Sequence, residues 1–111
     1  MNYNIVPTVK FKREAKRLVK KYPSLINELA EVNNQLMQNP TTGTPLGNDT
    51  YKIRVGIKSK GKGKSGGARV ITYVVSGNME IYLLTIYDKS EFDAVDDRLL
   101  KQEIKNLDIS K

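Results

Sequence analysis

The chain has 111 residues, 39% hydrophobic and 28% charged, with a net charge of +7. That length suits a single domain over 1–111, and no apolar run reaches the roughly 18 residues that a membrane span needs. Cysteine and histidine are both absent, which excludes disulfides, thiolate metal sites, Ser-His-Asp and Cys-His catalysis, and acid–base cleavage of RNA by paired histidines. Any catalysis must therefore use carboxylates, lysine, arginine or tyrosine.

The first residues, Met1-Asn2-Tyr3-Asn4-Ile5-Val6-Pro7, lack the basic region and apolar core of a secretory signal. A cytoplasmic protein with no membrane partner is expected. The excess of positive charge favours a polyanion, nucleic acid before a lipid surface. From Thr50 to Met79 there are seven basic residues and no acidic one, whereas Glu91, Asp93, Asp96, Asp97, Glu103 and Asp108 gather near the C-terminus.

In chain order, Asn2 to Val6 is a short strand closed by Pro7. Thr8 is the predicted N-cap of a helix to about Lys21. Val9, Phe11, Ala15, Leu18, Val19 and Tyr22 form its apolar side, and Lys10, Lys12, Arg13, Lys16, Arg17 and Lys20 its wet one. A second helix runs from about Pro23 to Gln38, with Leu25, Ile26, Leu29, Ala30, Val32 and Leu36 as its stripe. The short Lys21-Tyr22-Pro23 break predicts an antiparallel helical hairpin, and Asn39-Pro40 ends it.

Thr41 to Thr50, with Gly43, Pro45 and Gly47, reads as a loop. Three strands follow. Tyr51 to Ile57 alternates, with Tyr51, Ile53, Val55 and Ile57 on one face and Lys52 and Arg54 on the other. Ala68 to Val75 is rich in β-branched residues. After a Ser76-Gly77-Asn78 turn, Glu80 to Tyr87 is nearly all apolar, as a strand buried on both faces would be. Short links favour an antiparallel meander. A last helix spans about Asp96 to Leu107. The predicted order is β-α-α-β-β-β-α, an α+β fold with the helical hairpin packed on a small, mostly antiparallel, twisted sheet.

The segment Gly61 to Val70, "GKGKSGGARV", ends in Gly63-Lys64-Ser65 like a P-loop. The full motif needs a glycine where Lys58 stands, and a helix must follow to cradle phosphate on its N-terminus. Here a strand follows, so a nucleotide-binding loop is excluded. Residues 58–67 hold four lysines and four glycines. Glycine permits close backbone approach, and lysine contacts phosphate with a salt-dependent affinity. Lys58, Lys60, Lys62 and Lys64 are thus candidate RNA contacts.

The element order, "YKIR" on the strand after the helices, the loop "GKGKSGGARVITYV" and the ending "IYLLTIYDKSE" together resemble the RelE/HigB superfamily of bacterial toxins. The likeness is greatest to the HigB-type branch with a G-x-G-K-S-G-G-x-R-V loop, and it covers Tyr3 to about Leu107. It implies a RelE-like fold and the toxin of a toxin–antitoxin module. It further implies an endoribonuclease that cuts messenger RNA in the ribosomal A site, held by a cognate antitoxin that is acidic where it touches the toxin. In such toxins the RNA 2′-hydroxyl attacks the adjacent phosphate without a metal or other cofactor.

Carried over residue by residue, the resemblance implies that Arg69 stabilises charge on the scissile phosphate. Lys52 and Arg54 orient that phosphate or activate the 2′-hydroxyl, and Lys89 supplies a phosphate contact or an acid. RelE-like toxins carry a tyrosine a few residues beyond that last basic position. Here Phe92 stands in that region and has no hydroxyl, which leaves Tyr73 and Tyr87 as possible substitutes. Two other readings remain open from the residues: a ParE-like toxin that binds gyrase without cutting RNA, and a non-catalytic RNA- or ribosome-binding protein in which Tyr51, Tyr73 and Phe92 stack on bases.

Overall fold

The computed structural model describes residues 3–61, 66–92 and 95–107. Its elements are β1 (Asn4–Pro7), α1 (Val9–Lys21), α2 (Leu25–Gln38), β2 (Thr44–Gly47), β3 (Thr50–Val55), a 3-10 turn at Lys58–Lys60, β4 (Ala68–Val75), β5 (Glu80–Asp88) and α3 (Asp97–Lys105). The strands form one sheet in the order β1-β5-β4-β3-β2. Every neighbouring pair is antiparallel except β1 with β5. The α+β class and the antiparallel meander β3-β4-β5 are as predicted. No helix among the described residues is long and apolar enough to cross a membrane.

One predicted loop is a strand. Thr44–Gly47 pairs with β3 and lies at the sheet edge, fully exposed. An edge tolerates Pro45 because its outer side needs no ladder hydrogen bond. Asn48 and Asp49, which turn the chain into β3, have φ of 55° and 64°. Positive φ at both central residues is what a type I′ hairpin turn requires, and Asn and Asp accept it.

Thr8 caps α1 as expected, its hydroxyl accepting from the Phe11 N–H at 3.1 Å. The same hydroxyl donates toward the Leu83 and Leu84 carbonyls at 3.0 and 3.2 Å, so the cap also ties the helix to β5. Asp96 caps α3 through the Arg98 N–H at 2.8 Å.

The sheet has a core on each side. Phe11 and Leu18 of α1 and Leu25, Val32 and Leu36 of α2 pack on Ile53, Val55, Val70, Ile81, Leu83 and Ile86. Leu100 of α3 joins Ile71, Tyr82, Leu84 and Tyr87 on the opposite face. This two-sided burial is why β5 is apolar almost throughout.

The β4–β5 ladder carries a bulge. Thr72 faces Leu83 and Ile71 faces Thr85, which leaves Leu84 without a partner. Glu14 of α1 covers the outer side of this kink, accepting from the Thr85 hydroxyl at 2.7 Å and the Ile86 N–H at 3.2 Å.

Candidate active site

On the face away from α1 and α2, three side chains form one row across the sheet. Arg54 of β3 is directly opposite Arg69 of β4, and Arg69 is directly opposite Tyr87 of β5. Directly opposed residues share a face, with Cβ atoms about 5 Å apart. The bulge creates this row. Extending the register of Val75 with Glu80 without the extra residue would set Arg69 opposite Ile86 and turn Tyr87 to the helix side.

Arg69 is buried at 4% exposure, and its Nη1 donates to the Ala68 carbonyl at 3.1 Å. Arg54 is exposed, and Lys52, one row further along, is half-buried. Like charges directly opposite one another on a sheet destabilise it. The Arg54–Arg69 juxtaposition concentrates positive charge on this face of the sheet.

Tyr87 is buried, at 6% exposure. Burial raises its phenol pKa, and the nearby Arg69 charge pulls it only partly back. The phenol thus keeps its proton at neutral pH and is a donor beside the guanidinium. Phe92 stands edge-on to the Tyr87 ring at 6.3 Å and 83° and is 57% exposed. Both rings border a cleft of about 270 Å³ that also takes in Lys10, Glu14 and Thr85. Of the two possible substitute tyrosines, Tyr87 stands beside Arg69, whereas Tyr73 lies opposite Thr50 and Tyr82, away from the arginine row.

The remaining candidates lie around the base of the glycine-rich loop. Lys89 is half-buried, and its backbone N–H donates to the Gly67 carbonyl at 2.9 Å. Lys58 is exposed, while its N–H is held by Glu28 at 2.7 Å. Lys62 and Lys64 lie outside the described residues.

Lys60, expected to face RNA, turns inward. Its ammonium donates to Asp88 Oδ1 at 2.5 Å, to the Ser90 hydroxyl at 2.9 Å and to the Gly66 carbonyl at 3.3 Å. An ammonium has three protons, so the protein uses all of them. The attraction is the buried carboxylate of Asp88, at 0% exposure. A sequence pattern that makes Lys60 one of four alternating lysines gives no hint of it.

Asp88 also accepts from the Ser90 N–H and hydroxyl at 2.9 and 2.7 Å and from the Tyr22 hydroxyl at 2.9 Å. Burial alone would raise its pKa, but the bonds from Lys60, Ser90 and Tyr22 outweigh that and hold it well below the usual carboxylate range. A depressed folded-state pKa adds stability that is present above the unfolded value of about 3.9 and is lost as pH falls toward the folded value. Acid unfolding followed by circular dichroism should show a steep stability loss below about pH 4 that Asp88→Asn flattens. An unchanged acid limb in that variant would remove Asp88 as its source.

Among the described residues no group of three or more His, Cys, Asp or Glu side chains could hold a metal ion.

The sequence matches no protein-family model. Solved structures do resemble it. A double mutant of the E. coli toxin RelE in the free state is 14% identical over 96% of this chain and 99% of its own, with a TM-score of 0.65. The same RelE mutant in complex with an antitoxin peptide is 14% identical over the same shares, at 0.62. The toxin–antitoxin complex RelBE2 from Mycobacterium tuberculosis is 17% identical over 79% of this chain and 92% of the other, at 0.56. Over nearly its whole length the chain therefore has the fold of the RelE toxins.

Proposed function

We propose that this protein is the toxin of a toxin–antitoxin module and cleaves messenger RNA on the ribosome. The observation that carries this reading is the row Arg54–Arg69–Tyr87. Two opposed guanidiniums on one sheet face suit a phosphodiester, and a protonated phenol stands beside the buried one. The loop G-x-G-K-S-G-G-x-R-V supports the HigB-type branch. Neighbours of the same fold occur as complexes with antitoxins, and an acidic antitoxin would neutralise this basic face. The site of action would be the cytoplasm.

In the reaction the RNA 2′-hydroxyl gives up its proton to solvent as its oxygen forms a bond to the adjacent phosphorus. The bond to the 5′-oxygen breaks, leaving a 2′,3′-cyclic phosphate and a 5′-hydroxyl. Arg54 and Lys52, the more open cations, bring the phosphate in. Arg69 holds its planar fork against the equatorial oxygens as negative charge grows there. Tyr87, whose phenol is protonated and level with Arg69, donates its proton to the departing 5′-oxygen. Lys89 adds charge at the end of β5, and Phe92 offers an exposed ring on which a neighbouring base stacks.

The test is primer extension on messenger RNA from a reconstituted translation system containing the purified protein. In-frame cuts with cyclic-phosphate ends are expected. Tyr87→Phe should lower the single-turnover rate by about a hundredfold or more, with Phe92 and the fold undisturbed. No cuts in that system, together with growth arrest when the protein is expressed in cells, would move the assignment to a gyrase-binding toxin. RNA binding without product would leave a binding protein. Tyr87→Phe cutting at the wild-type rate would take the phenol out of the mechanism.

A further inference from the structure

The glycine-rich loop is fastened at both ends to the same place. At its start, the Ser59 N–H donates to the Ser24 hydroxyl at 2.9 Å, and the Lys58 N–H to Glu28 at 2.7 Å, which fixes the 3-10 turn on the α1–α2 corner. At its far end, Gly67 presses against the Val55 backbone, where a Cβ would collide with the carbonyl oxygen. The Gly67 carbonyl there holds the N–H of Lys89. Lys60 joins the two ends. It belongs to the starting turn, bonds the Gly66 carbonyl across the loop, and anchors both to Asp88 and Ser90 at the end of β5. Its ammonium also lies 5.3 Å from the centre of the Tyr22 ring, which closes the site from the helix side.

We infer that Lys60 and Asp88 form a clamp that positions the two ends of the glycine-rich loop, Lys58 to Gly61 and Gly66 to Gly67, together with Lys89 against the Arg54–Arg69–Tyr87 row, and that Lys60 is a positioning residue and does not contact RNA. This rests on the nuclease reading above. Side-chain exposures of 12% for Lys60 and 0% for Asp88 leave the pair little access to a ligand. Tying Lys60 and the Gly66 carbonyl to Asp88 fixes the neighbouring Gly67 carbonyl, and with it the Lys89 N–H, at the start of β4 that carries Arg69. Placement errors of about 1 Å can cost about a hundredfold in rate, so an anchor behind the site acts on turnover.

Asp88→Asn separates this clamp from a phosphate contact, because the two give opposite signs. A clamp loses its charge partner, and kcat for ribosome-bound messenger RNA should fall about ten- to a hundredfold while the salt dependence of KM stays as in wild type. If Lys60 instead bound phosphate, freeing it would lower KM and leave kcat alone. Lys60→Met adds a second reading: loss of a phosphate contact flattens the salt slope by about one, whereas loss of the clamp lowers kcat without that change. Either phosphate-type result overturns the proposal.

If Asp88→Asn alone does not fold, Lys60→Met combined with Asp88→Asn leaves no unpaired buried charge and takes the same kinetic test. A readout independent of cleavage is trypsin nicking within residues 58–67, mapped by mass spectrometry. The clamp predicts nicking about tenfold faster in Asp88→Asn, through local opening of the loop. If the wild-type protein makes no cuts, the nuclease reading falls and the clamp stands or falls on nicking alone. Nicking at the wild-type rate in Asp88→Asn overturns it.

Discussion

Replacing Arg69 by alanine is expected to slow single-turnover cleavage about 10²–10³-fold, the usual effect of removing one preorganised donor aimed at developing negative charge. The size follows from where the guanidinium sits. It is buried at 4% exposure, oriented by the Ala68 carbonyl, and level with Tyr87 across the ladder. A buried charge acts through a lower local dielectric than an exposed one, so Arg54→Ala, at an exposed position, should cost less in kcat and more in KM. The change also loses stem packing and the bond to the Ala68 carbonyl, so folding is read from a second variant. Arg69→Met keeps most of that stem and should melt within a few degrees of wild type. Arg69→Lys keeps the charge and loses the planar fork, so its rate should fall between wild type and alanine. Cleavage by Arg69→Ala within tenfold of wild type would sink the assignment of this residue.

The second large effect is on folding. Gly67→Ala places a Cβ against the Val55 carbonyl oxygen, with the Val55 carbonyl carbon and Gly56 Cα at 3.0 and 3.1 Å. All three are backbone atoms at the end of β3, so no side chain can swing aside. The strand or the loop must shift. Overpacking of this kind costs about 2–3 kcal/mol, which for a chain this size lowers Tm by about 10 °C. The same shift moves the carbonyl that holds the Lys89 N–H, so kcat should fall even in the molecules that remain folded. Gly77→Ala is the control: nothing lies within 4 Å of its added Cβ, and its Tm should match wild type. A wild-type Tm for Gly67→Ala would mean the loop does not approach β3 this closely.

Much of the fold is legible residue by residue. Alternation in Tyr51 to Val55 assigns Ile53 and Val55 to the helix-side core and leaves Lys52 and Arg54 outside it, as observed. The unbroken apolar run of β5 reports burial on two faces. Thr8 and Asp96 mark helix starts because their side chains can take up orphan N–H groups, and both do. The edge strand β2 is harder to read, because Pro45 and Gly47 weaken any strand pattern and only the Asn48-Asp49 pair signals the turn.

The sequence by itself determined the chemistry available to this protein: no histidine or cysteine, a dense run of cations from Lys52 to Arg69, and the helix and strand periods that build an α+β domain. Those properties depend only on residue type and local spacing. The tertiary structure alone decided which of those groups meet. One unpaired residue, Leu84, shifts the β4–β5 register and brings Tyr87 level with Arg69. A buried carboxylate at Asp88 turns Lys60 inward, away from its neighbours in the sequence. Register and burial arise between segments distant in the chain, and a one-residue change in pairing exchanges the two faces of a strand.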